Sequence, residues 1–142
     1  MNICMVTCEK NVNWDSLVEL FRIAPLGKRI ANDLKKSFTN SMFKCFLYDG
    51  EQIIAAGRAL ADGVDCSYLC DIVVHPDYQG IGLGKVVVES LIAQSQGHNK
   101  IILFANVGKE PFYAKLGFKK MNTAMAIFKD EKTAIDKGVI SP

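Results

Sequence analysis

The chain has 142 residues, 49% of them apolar, and a formal net charge of +2. That length suits one ordinary core and no separate substrate domain, so a single domain spanning residues 1–142 is expected. The charge is small and the lysines are scattered, which argues against nucleic acid or an anionic membrane as partner, and no apolar run approaches the roughly 20 residues of a bilayer span.

In chain order, Met1 to Thr7 alternates as an opening strand, and Asn13 is placed to cap a helix from Trp14 to Ile23. Ala24-Pro25-Leu26-Gly27 breaks that helix. A second, from Lys28 to about Phe38, carries Ile30, Leu34 and Phe38 on one stripe. Phe43 to Tyr48 and Gln52 to Leu60 form a hairpin turned at Asp49-Gly50, and a further turn at Ala61 to Val64 leads into a strand from Tyr68 to Val74. A third helix runs from about Leu83 to Gln94, with Leu83, Val87 and Leu91 toward the sheet. A strand from Lys100 to Ala105, a short helix opened by Pro111 and closed by Gly117, and a last strand from Thr123 to Phe128 complete the order. Asp130 to Pro142 is charged and reads as a loose tail. The sheet should be mixed and flanked by helices.

Cys4, Cys8, Cys45, Cys66 and Cys70 include no C-x-x-C pair, and His75 and His98 are the two histidines. Reduced thiols near the core and no metal site are expected. With no basic segment and long apolar core at the start, the expected location is the cytoplasm. His75 reads as a surface-turn residue, His98 as solvated loop, and Trp14, Phe21 and Phe38 as core.

Between the strand ending at Val74 and the third helix lies His75-Pro76-Asp77-Tyr78-Gln79-Gly80-Ile81-Gly82-Leu83-Gly84-Lys85. Alternating glycines let the main chain approach a ligand, and a helix start offers unpaired N–H groups, so a phosphate or pyrophosphate is the expected guest. A Walker A loop is excluded because Gln79 stands where its first glycine belongs and Val86 follows Lys85. A dinucleotide fingerprint is excluded because Lys85 or Val87 stands where its third glycine belongs.

Gln79-x-x-Gly82-x-Gly84 resembles the coenzyme A pyrophosphate signature of the GNAT N-acetyltransferase superfamily. Pro111-Phe112-Tyr113-Ala114-Lys115-Leu116-Gly117-Phe118 resembles its closing helix motif. The resemblance is specific from about Ile53 to Phe128 and rests on length and pattern before that. It implies an α/β fold with a mixed, mostly antiparallel twisted sheet, whose splayed parallel strand pair holds the coenzyme. It implies acetyl-coenzyme A as cosubstrate, with Gln79, Gly80, Gly82, Leu83, Gly84 and Lys85 at the pyrophosphate. Asn106, at the end of the next expected strand, is placed to hydrogen-bond the pantetheine or to position Tyr113, the alternative being a plain turn former. Backbone N–H groups of Ile72, Val73 or Val74 would polarise the thioester, and Tyr113 would return a proton to the leaving sulfur. A homodimer is compatible with the superfamily's habit.

Acetyl transfer to an amine also needs the nucleophile neutral, since an alkylamine is protonated at neutral pH. Asp71, within an otherwise apolar strand, is the candidate base, burial being expected to raise its pKa; the alternatives are a carboxylate satisfied by a neighbouring backbone or basic group, or one that binds a cationic acceptor without taking its proton. Cys70 is not expected to carry the acyl group, because strand alternation would point it to the opposite face. The expected activity is direct acetyl transfer to a primary amine, of a small molecule rather than a protein. The alternative is a non-catalytic acyl-coenzyme A binding module.

Overall fold

Helix and strand starts fall where local chemistry places them. The Asn13 side chain accepts a hydrogen bond from the Ser16 N–H, and helix α1 (Trp14–Ile23) begins there. Its buried Leu17, Leu20 and Phe21 form the inward stripe. A computed structural model describes residues Met1–Pro142, which form two units, Met1–Leu103 and Phe104–Pro142.

The first unit holds a five-stranded sheet in the order β1-β2-β3-β4-β5. These are β1 (Ile3–Val6), β2 (Phe43–Asp49), β3 (Gln52–Ala61), β4 (Cys66–Val74) and β5 (Lys100–Ile102). The first four pair antiparallel in sequence, and β5 lies parallel to β4. Asp49 opposite Gln52 leaves Gly50-Glu51 as a tight turn, with Gly50 at φ +60°. Asp62 closes the next turn by accepting from the N–H groups of Val64 and Asp65.

One sheet face packs on α1 and α2 (Ala31–Thr39), where Phe21, Leu34, Phe38, Phe46, Ala56 and Val73 share a core. The other carries α3 (Leu83–Gln94), whose Val87 and Leu91 are buried. Gly57 marks the contact: a Cβ there would lie 2.6 Å from Val87 and 2.8 Å from Ile72. A buried hydroxyl pair, Ser67 to Ser95 at 2.8 Å, ties β4 to the end of α3.

Two boundaries and the setting of one residue differ from the sequence reading. Helix α2 starts at Ala31 rather than Lys28, and Ile30 is its exposed N-cap rather than part of the apolar stripe. The preceding Arg29 is drawn instead into an ion pair described below. Strand β5 ends at Ile102 rather than Ala105, because pairing with β4 stops at Tyr68 opposite Ile102. Beyond that point Leu69 to Val74 have no ladder partner on the β5 side. His98 is not solvated loop: its ring packs edge-on against Phe43 at 5.7 Å, and Nε2 accepts from the Gly63 N–H at 3.0 Å.

In the second unit α4 (Glu110–Ala114) and α5 (Glu131–Asp136) are short helices. The expected strand Thr123–Phe128 is absent; the segment joins no ladder, and Met125 is 96% exposed. Alternation describes side chains, whereas a strand also needs a partner backbone. Residues after Asp130 are not a loose tail, since Asp130 caps α5 through the Thr133 N–H and Ala134 is buried. No helix is long and apolar enough to cross a membrane.

Candidate active site

The glycine loop is shaped as an anion cradle. Pro76–Tyr78 forms one 3-10 turn, and Gly80 and Gly82 adopt φ +81° and +90°, the left-handed region that glycine enters without strain. A Cβ on either would meet open space, so the backbone conformation, not crowding, requires glycine. Gly84 lies within the first turn of α3, as the expected helix start at Leu83 requires, and has no positive φ. Gly82 is the N-cap and has no side-chain oxygen to offer, so the first-turn N–H groups at Leu83, Gly84 and Lys85 receive no side-chain cap. These groups fit a pyrophosphate at a helix N-terminus.

The loop's polar side chains set its shape. The Gln79 side-chain amide donates to the Val74 carbonyl at 3.1 Å, closing the loop onto the strand end. Tyr78 donates to Asp49 at 2.6 Å, anchoring the loop to the β2–β3 turn. Lys85 lies 3.6 Å from Glu89 and remains exposed, a secondary charge at the cradle. His75 accepts from the Asp77 N–H through Nδ1, a turn role as expected.

Three residues upstream of Val74, β4 is distorted. Val73 pairs with Ala56 and Cys70 with Arg58, so Asp71 and Ile72 together face Gly57 alone. This is a β-bulge, and Asp71 sits in it at φ +56°, the one non-glycine residue with positive φ. Its carboxylate is clamped by two guanidiniums. Arg58 Nε donates to Oδ2 at 2.8 Å, and Arg29 Nη2 donates to Oδ1 at 3.0 Å. Arg29 lies over the Phe21 ring at 4.6 Å, and Arg58 over Phe38 at 5.9 Å while donating to Ser41 at 3.2 Å.

Two expectations are corrected here. Burial does act to raise the Asp71 pKa, but the hydrogen bonds and charges of Arg29 and Arg58 outweigh it and hold the carboxyl below its usual range. A proton acceptor so stabilised in its charged form is a weak base. Cys70 does not point away from Asp71 as alternation would require. It is paired opposite Arg58 and therefore shares its face, and the positive φ at Asp71 breaks the alternation. Burial pushes its thiol up to about 11, so it is protonated and unreactive at neutral pH. Neighbouring Tyr68 is pushed up to about 12, chiefly by burial.

Arg29 and Arg58 escaped the sequence reading. Arg29 stands 42 positions from Asp71 in the chain, and no local pattern links them. The signal available was the lone acidic residue inside an apolar strand, which required a cationic partner.

The second unit holds the other two candidates. Tyr113 lies on α4 with its ring edge-on to Phe112 at 4.9 Å and to Phe118 at 6.0 Å. Burial raises its phenol, keeping it protonated at neutral pH. Asn106 is exposed, and its carbonyl accepts from the Lys109 N–H at 2.9 Å across a turn through Gly108. With β5 ending at Ile102, Asn106 lies beyond the strand and its observed role is in a turn.

A model of the Acetyltransferase (GNAT) family matches residues 11–118. The chain is 34% identical over 121 residues to an "uncharacterized N-acetyltransferase ycf52" of Pyropia yezoensis, covering 81% of this chain and 70% of that protein. It is 42% identical over 67 residues to the chloroplastic serotonin N-acetyltransferase 2 of Oryza sativa subsp. japonica, covering 46% and 34% respectively. Among solved structures, a GNAT-family acetyltransferase of Streptococcus pneumoniae superposes with a TM-score of 0.74 at 18% identity, over 89% of this chain and 98% of that one.

Proposed function

We propose, for a chain that belongs to the GNAT family and is an N-acetyltransferase, that it moves the acetyl group of acetyl-coenzyme A to a primary amine of a small molecule in a single ternary complex. The observation that carries this reading is the uncapped N-terminus of α3, opened by Gly80 and Gly82 at the end of a bulged strand. The cytoplasm is the compartment we propose, although the rice relative is chloroplastic by name.

In this reading the first-turn N–H groups of α3 hold the pyrophosphate. The pantetheine arm lies along Leu69 to Val74, whose backbone is unpaired on the β5 side. An N–H of Ile72, Val73 or Val74 stabilises charge growing on the carbonyl oxygen, a contribution that commonly amounts to ~3 kcal/mol per donor. The amine nitrogen attacks the thioester carbon, the C–S bond breaks, and Tyr113 supplies a proton to sulfur. Asp71, kept ionised by its arginines, holds the bulge and sets the charge around the acceptor, and the amine loses its proton to solvent. Cys70, a protonated thiol, is not an acyl carrier.

The test is acetyl-coenzyme A consumption against a panel of amines, followed by thioester loss rather than by a thiol dye, which the protein's five cysteines would confuse. Turnover with one amine class is expected. Coenzyme binding with no transfer to any amine would instead favour a non-catalytic binding module. Cys70→Ala should keep most of the turnover, and a folded but inactive variant would overturn direct attack.

A further inference from the structure

We propose that Arg29 and Arg58, bridged by Asp71, form an oxyanion subsite that receives a carboxylate or phosphate carried by the acceptor amine. The proposal rests on the acetyl-transfer reading for the acceptor's identity, and on the cluster itself for the anion.

Two guanidiniums share one carboxylate, so the cluster carries a net positive charge. Neither arginine has a second acidic partner within ion-pair distance. Taking a second cation out of water beside an already paired carboxylate is costly, and pinning Asp71 requires only one. The donors are also unsaturated. Of the five N–H groups on each guanidinium, Arg29 uses three, on Leu26 and Asp71, and Arg58 uses two, on Asp71 and Ser41. The pair is not sealed from solvent, since the side chains of Arg29 and Arg58 are 31% and 15% exposed.

The cluster is also rigid. Phe21 and Phe38 back the two guanidinium planes, and Ser41, itself buried and donating to Ser37, fixes the far side of Arg58. A flat fork held in this way suits two-point binding of a carboxylate or phosphate. Its position sets the ligand's size. Asp71 directly precedes Ile72 to Val74, where acetyl transfer is placed, so the anion must lie only a few bonds from the reacting nitrogen. The acceptor class is therefore a short amino acid or amino phosphate rather than a polyamine.

The experiment is calorimetric binding to the coenzyme-loaded protein of 3-aminopropanoate, O-phosphoethanolamine and propylamine, three short amines that carry a carboxylate, a phosphate and no anion. At least one anionic amine should bind about tenfold or more tightly than propylamine, with added salt reducing the difference. The tighter of the two identifies the anion. Arg29→Gln should bring the preference to within about threefold, and Arg29→Lys, which keeps the charge but loses the fork, should give an intermediate ratio. Equal affinity for all three, a preference that survives Arg29→Gln, or no detectable binding of either anionic amine overturns the subsite. Failure of the transfer reading would show separately, as absence of thioester loss with every amine while anion selectivity persists. If Arg29→Gln unfolds, the lysine variant and the salt dependence of the wild type decide.

Discussion

Asp71 concentrates three costs in one residue: a left-handed backbone, a largely buried carboxylate and two ordered arginines. Each offsets another, because the ion pairs that satisfy the carboxylate also hold the backbone where it would not otherwise rest. Replacing Asp71 by Asn leaves two cations facing a neutral amide. We expect a loss of about 2–3 kcal/mol, below the usual figure for a fully buried pair because Arg29 is partly exposed, or roughly 5–10 °C in melting temperature. The pH dependence follows from the lowered pKa. The stabilisation is complete above the unfolded carboxylate value of about 3.9 and is lost as pH falls through the lower folded value. The difference in melting temperature between wild type and Asp71→Asn should hold steady from pH 7 to about 5 and narrow below about 4. At Tyr113 the raised phenol pKa keeps a proton in place at neutral pH. Tyr113→Phe should lower kcat by roughly 10- to 100-fold while coenzyme affinity stays within about twofold, as read by steady-state kinetics and calorimetry.

Among the elements, β4 and the turn after it carry most of the candidate site, and they were largely legible in the sequence. Asn13 announced α1, Asp49-Gly50 announced the hairpin, and the alternating glycines announced the start of α3 at Leu83. What stayed hidden depends on tertiary neighbours. The bulge at Asp71 needs β3 as a reference before an extra residue can be counted, and Arg29 needs the α1–α2 connection folded back over Phe21. Thr123 to Phe128 shows the reverse error, a strand-like pattern without a backbone to pair. Gly82→Ala places a Cβ in open space at φ +90°, so its penalty is conformational, ~1–2 kcal/mol, and it should also weaken acetyl-coenzyme A binding in calorimetry. Gly57→Ala acts differently: its Cβ would collide with Val87 and Ile72 between β3 and α3. We expect ~1–3 kcal/mol of destabilisation, seen as a lower denaturant midpoint.

For the whole molecule, the proposed coenzyme cradle should make stability responsive to ligand. Coenzyme held only by the folded chain should add ~2.7 kcal/mol at a concentration one hundred times its Kd, which raises the melting temperature by several degrees. ATP or NAD at equal concentration should raise it less, because neither offers a pantetheine arm to the free edge of β4 beyond Tyr68. A larger shift with ATP would assign the cradle to another nucleotide.

The cradle and the bulge lie on one continuous strand and its exit turn, and that strand acts as a ruler. Extended backbone advances ~3.3 Å per residue, so Val74 and Asp71 are separated by about 10 Å of nearly inextensible chain. In the proposed reading, a donor gripped at its phosphate end would have its reactive end delivered to a fixed mark. Acyl groups attached through a shortened tether, or through none, lose the grip and the alignment together, and turnover at saturation should fall along with affinity.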